Sequence, residues 1–150
     1  MSNTFLIGSC EPFSGKSALV LGIAKDLMAS NHLVRFGKPL ATSLELNTKN
    51  NGALKEMIDD DVRFVGETLK LPLENLIPSV QFSASATANQ RIQNNILDSN
   101  NGLNSLKASL DFADNGINIL EAAGSMHEGL LYGLSLCELA KGLDAKVILA

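Results

Sequence analysis

An α/β fold around a mainly parallel sheet is what the sequence predicts, and three observations carry that prediction. Short runs of apolar and β-favouring residues recur at 4–7, 33–41, 116–124 and 145–150. Between them stand longer stretches whose apolar residues repeat at helical spacing. The first of the short runs passes through a loop into Gly15-Lys16-Ser17, where one of those helical stretches begins. Alternation of this kind makes parallel strands, because parallel neighbours need a crossover between them. A length of 150 residues fits a single domain.

The opening unit carries the most chemistry. Residues 4–7 read as a buried strand, 8–14 as a loop, and 17–30 as a helix with Leu19, Ile23 and Leu27 on one face. Strand, loop, Gly-Lys-Ser and helix together are the context of a phosphate-binding P-loop. The first N–H groups of a helix lack partners within it, and the macrodipole favours an anion there. Gly15 allows close approach, Lys16 brings a positive charge to the outer phosphates, and the Ser17 hydroxyl suits Mg²⁺. The standard spacing is G-x-x-x-x-G-K-[ST]. Here Cys10 stands where its first glycine would fall, so the loop counts from Gly8 as G-x6-G-K-S. The expected nucleotide contacts are Gly8, Glu11, Ser14, Gly15, Lys16, Ser17 and Ala18.

The second strand, 33–41, contains Lys38-Pro39 near its C-terminal end, the edge where open α/β sheets bind ligands. Pro39 should stop the strand nearby. Residues 42–58 are polar, with a turn at Asn50-Asn51-Gly52. Asp59-Asp60-Asp61 open a helix carrying Val62, Val65 and Leu69, as caps favoured by the dipole or with one acid facing Mg²⁺. Residues 72–88 read as a surface loop near the site. Residues 89–113 read as two helices or a kinked one, broken at Ser99-Asn100-Asn101-Gly102. The third strand ends with Glu121 and a Gly loop, placing a carboxylate beside the phosphate loop. His127 and Glu128 read as a solvated loop pair. A helix over 130–141 leads to a strand at 145–150. A parallel strand normally feeds a crossover, so the expectation is a domain that continues beyond Ala150.

Composition narrows the function classes. A net charge of −4 argues against a nucleic-acid surface, and no apolar run is as long as a membrane span. The N-terminus lacks the features of a signal peptide, and two cysteines, Cys10 and Cys137, make no disulfide framework. The expected setting is a reducing cytoplasm.

Four segments also carry a resemblance to a family: GSCEPFSGKSALVLGIA, FGKPLATS, DDDVRFVGETLKLP and ILEAAGSMHEGLLYGLSLCELA. In this order they resemble the dethiobiotin synthetase-like P-loop domains, above all those at the N-terminus of phosphotransacetylase-related, DRTGG-containing proteins. The resemblance implies a three-layer P-loop NTPase-type fold and an ATP–Mg²⁺ site. It matches Lys16 and Ser17 to the phosphate-loop lysine and hydroxyl, and Asp61 and Glu121 to the metal-binding acids. Lys38, with Thr42 nearby, matches the substrate-binding strand end, which makes Lys16 and Lys38 the candidate catalytic residues. The sequence departs from the family where Glu121 is followed by Ala-Ala-Gly rather than Gly-Ala-Gly-Gly. Two activities follow from the resemblance. One is a nucleotide-sensing, regulatory module with a further C-terminal domain. The other is an ATP-dependent ligase module that phosphorylates a small carboxylate or carbamate. A homo-oligomer is compatible with both.

Overall fold

The computed structural model describes residues 3–43, 58–82, 99–110 and 116–150. Five parallel strands form the main sheet: β1 (Thr4–Gly8), β2 (Leu33–Gly37), β4 (Leu76–Ile77), β6 (Gly116–Glu121) and β7 (Lys146–Leu149). Their spatial order is β4-β2-β6-β1-β7. Two further strands, β3 (Leu40–Ala41) and β5 (Gln81–Phe82), pair in parallel as a small second sheet.

Helices cover both faces, and two apolar clusters explain why. On one face, Val20 and Ala24 of α1 (Lys16–Ala29) and Val62 and Val65 of α2 (Asp60–Leu69) pack on Ile7, Val34, Phe36 and Ile119. On the other, Leu106 of α3 (Ser99–Leu110) and Leu136, Leu139 and Leu143 of α4 (Leu136–Leu143) pack on Leu6 and Leu120. Strand residues one apart point to opposite faces, so Leu6 and Ile7, or Ile119 and Leu120, each serve a different layer. The arrangement is an α/β sheet between two helical layers, as the alternation of elements predicts.

Four boundaries differ from the sequence reading. The strand expected over 33–41 breaks after Gly37, and Leu40–Ala41 joins the second sheet instead. Pro39 has no N–H for a ladder, while its carbonyl accepts from Val80 N–H at 2.9 Å and the Lys38 carbonyl accepts from the Ser79 hydroxyl. The described part of the segment read as a loop, 72–82, holds a 3₁₀ turn (Leu73–Asn75) and the strands β4 and β5. Gly37 makes the β4 pairing possible, since a Cβ there would stand 2.5 Å from the Ile77 Cβ and 2.8 Å from its carbonyl oxygen. Residues 99–102 are themselves helical: α3 begins at Ser99 and runs through Gly102, beside Leu134, and the stretch before Ser99 lies outside the described residues. The helix expected over 130–141 is a 3₁₀ turn (Leu130–Tyr132) followed by α4. Gly133, in the left-handed region, ends the first, and a Ser135–Glu138 capping box starts the second. The Asn50-Asn51-Gly52 turn and the helix expected over 89–98 lie outside the described residues.

Candidate nucleotide-binding site

Strand β1 lies between β6 and β7, and the chain leaves it for α1. Order in the sheet therefore switches around β1, and crevices at the carboxyl ends of such strands are where open α/β sheets bind ligands. A cavity of about 610 Å³ opens there. Its floor is Gly15, Lys16, Ser17 and Ala18, and its walls include Lys38, Thr42, Asp61 and Glu121.

The side formed by the loop after β1 is built from backbone geometry. Gly15 is the N-cap of α1 with φ 89°, a left-handed conformation that glycine adopts without strain. Among the described residues no side chain caps this helix, and the residues of its first turn line the cavity. Lys16 is buried and donates to the Ser9 hydroxyl at 2.9 Å. Ser9 Oγ stands 2.8 Å from the Glu11 carbonyl and 3.2 Å from that of Gly124, so it ties the loop after β1 to the segment after β6. Ser14 lines the cavity, and its buried hydroxyl lacks a hydrogen-bond partner among the described residues.

The opposite wall is a charged cluster. Ser17 Oγ donates to Glu121 Oε2 at 3.4 Å. Glu121 is buried, and burial pushes its carboxyl pKa up. Asp61 pushes the same way, while Lys38, Lys16 and the Ser17 hydrogen bond oppose it. Lys38 Nζ donates to Asp61 Oδ2 at 2.7 Å and to Thr42 Oγ1 at 2.8 Å, and lies 3.7 Å from Asp59 Oδ1. Burial alone would lower the Lys38 pKa, but the Asp61 hydrogen bond and the charges of Asp59, Asp61 and Glu121 outweigh it and raise it.

Most of the residues singled out in the sequence converge on this cavity: Ser14, Gly15, Lys16, Ser17, Ala18, Lys38, Thr42, Asp61 and Glu121. Gly8 and Glu11 do not line it. Gly8 is buried at the end of β1, where a Cβ would meet Leu136 at 2.5 Å, so its role is packing. Glu11 is exposed. Glu128, expected as half of a solvated loop pair, lines the cavity and accepts from Gly124 N–H at 2.8 Å, whereas His127 is exposed. Sequence reasoning did not single out Ser9, Phe13 or Gly124. Phe13 is fully exposed at the cavity lip with φ 59°, and only its place one residue before Ser14-Gly15 hinted at that position.

The donor set suits a hard divalent cation. Ser17, Asp61 and Glu121 offer only oxygen, and among the described residues no three His, Cys, Asp or Glu side chains form a metal-holding group. A cation here would draw few ligands from the protein and keep waters or phosphate oxygens, which is how Mg²⁺ binds.

No protein-family model matches the chain, and no curated protein matches it. Among the described residues, no helix is long and apolar enough to cross a membrane. Cys10 and Cys137 are free thiols on the surface.

Proposed function

We propose that this chain is a P-loop domain that binds ATP with Mg²⁺ in the cytoplasm and serves as a nucleotide-sensing module. It would act as the dethiobiotin synthetase-like domains do in the phosphotransacetylase-related proteins it resembles. The observation that carries the reading is the approach of Ser17 to Glu121 at the foot of the cavity. One residue belongs to the uncapped start of α1 and the other to the end of the adjacent strand β6. Phosphates at the α1 N-terminus would meet its N–H groups and Lys16. Mg²⁺ would be held by the Ser17 hydroxyl with Asp61 and Glu121, and would neutralise phosphate charge.

Titration calorimetry tests this directly. The parent chain is expected to bind ATP more tightly with Mg²⁺ than in chelator. Lys16→Ala should weaken binding by roughly tenfold to a hundredfold, the scale of one charge-assisted contact to phosphate. Equal affinity in the variant overturns the assignment.

A second reading is γ-phosphoryl transfer to a carboxylate or carbamate. Lys38 and Thr42 favour it, because they line the same cavity as Lys16. Phosphate release stimulated by such an acceptor supports the ligase reading. ATP binding without that release supports the sensing module.

A further inference from the structure

Asp59 is fully buried and is not among the cavity-lining residues, yet its carboxylate contacts Thr42, Asp61 and Lys38, which are. One oxygen, Oδ2, accepts from the backbone N–H of Thr42 at 2.7 Å and of Ser43 at 3.2 Å. The other, Oδ1, accepts from the backbone N–H of Asp61 at 2.9 Å and lies 3.7 Å from Lys38 Nζ. A helix N-cap requires only the bond to its own first turn. The remaining contacts join α2 to the segment just after β3, where Thr42 stands.

Lys38 passes this anchoring on. Its ammonium has three donors. Thr42 and Asp61 take two of them, and Asp59 attracts the ammonium from behind. The Asp61 side chain is 52% exposed and would otherwise turn among its rotamers in solvent. Lys38, itself 93% enclosed at the side chain by the same measure (7% exposed), holds that carboxylate to one place on the cavity wall.

We propose that Asp59 is the positioning residue for the cation side of this site: through the Asp61 backbone and the Lys38 ammonium it sets where the Asp61 carboxylate stands. Lys38 then orients Asp61 and does not grip an acceptor. The inference rests on the ATP–Mg²⁺ reading, since the placement of Asp61 matters to a cation bound in the cavity.

The test compares Asp59→Asn with the parent over the whole 150-residue chain. Asparagine removes the charge that anchors Lys38 and keeps one acceptor oxygen, so either the Thr42 and Ser43 N–H groups or the Asp61 N–H lose theirs. ATP affinity is measured by calorimetry in chelator and then across a Mg²⁺ series, with circular dichroism as the check on folding. Affinity in chelator is expected to stay the same. The Mg²⁺ concentration giving half of the enhancement should rise roughly tenfold, as for other residues that orient a metal ligand. Lys38→Met should raise it similarly, and the double variant no further, because the two residues act in one chain of contacts. Should Asp59→Asn fail to fold, the Mg²⁺ midpoint of Lys38→Met decides alone. An unchanged midpoint overturns the inference, as does an equal loss with and without Mg²⁺, which would make Asp59 a fold residue only. A parent chain that binds no ATP at all removes the nucleotide reading itself and this inference with it.

Discussion

Replacing Lys38 with methionine isolates the energetics of the buried charge cluster. Methionine keeps an unbranched apolar stem and removes the ammonium. Three contacts are lost: the bonds to Asp61 and Thr42 and the attraction to Asp59. The Asp61 pair contributes little, because a half-exposed carboxylate is solvated and screened, about 0.5 kcal/mol. Asp59 matters more. At an effective dielectric of about 20, unit charges at the observed 3.7 Å interact by roughly 4 kcal/mol. Much of that offsets the cost of burying the ammonium in the parent, and Asp59 keeps its three backbone donors in the variant. The net loss is then about 2 kcal/mol. For a domain of this size each kcal/mol moves the midpoint by about 2–4 °C, so Lys38→Met should unfold about 4–8 °C below the parent at neutral pH. Scanning calorimetry measures it. The sign of the pH dependence is fixed as well. The folded-state pKa of Lys38 lies above its ordinary 10.5, so the parent's advantage is complete below that value and declines as pH climbs through the raised one. A variant within about a degree of the parent, which is less than 1 kcal/mol, would refute the view that Asp59 depends on this ammonium.

Two other substitutions probe the cavity and the sheet. Burial raises the Glu121 pKa above 4.5, so the folded state holds that proton more tightly than the unfolded one, and stability is lost as pH rises from 4.5 through the raised value. Glu121→Gln should therefore melt above the parent at pH 7 and with it below pH 4.5, while the Mg²⁺ enhancement of ATP binding weakens at least roughly tenfold. Thermal scans at the two pH values and calorimetry check this; a lower midpoint at pH 7 contradicts it. Gly37→Ala places a Cβ against the Ile77 backbone, and should cost about 1–3 kcal/mol in urea unfolding, as overpacking does. An unchanged urea midpoint would mean that β4 shifts freely away.

The residues that reached the cavity were legible for a local reason. Strand, loop, Gly-Lys-Ser and helix form a contiguous pattern, and the strand-end residues Lys38 and Glu121 follow from alternation of strand and helix with parallel pairing. What sequence reading missed depends on contacts between distant segments. Gly8 looked like the first loop glycine, yet it is small because Leu136 packs on it from far along the chain. The strands β4 and β5 have two residues each, too short for any periodic pattern, and exist because Gly37 and Pro39 admit them. Gly102 carried a turn signal yet lies inside α3, whereas Gly133 carried none that stood out and ends the 3₁₀ turn before α4. Asp59 read as one acid of three. Only the backbone of Thr42 and Ser43, folded over it, distinguishes it from Asp60 and Asp61.

Charge around the cavity explains why sensing stands before ligation. Among the described residues two lysines line it, and they are differently placed. Lys16 donates to an uncharged hydroxyl, so a phosphate could take the Ser9 position at the cost of one hydrogen bond to a neutral acceptor. Lys38 already faces two carboxylates, at 2.7 and 3.7 Å. Glu121 and Glu128 add negative charge to the same walls. A triphosphate would meet Lys16 and the start of α1 on one side and acids on the other, and a divalent cation between phosphate and acids reverses that repulsion. A nucleotide with its cation would thus displace only the Ser9 hydroxyl from Lys16. An anionic acceptor beside Lys38 would have to draw the ammonium away from Asp61, giving up a charge-assisted bond before gaining another, while approaching Asp61 and Glu121 at close range. Binding of ATP with Mg²⁺ requires no such exchange, and transfer to a carboxylate does.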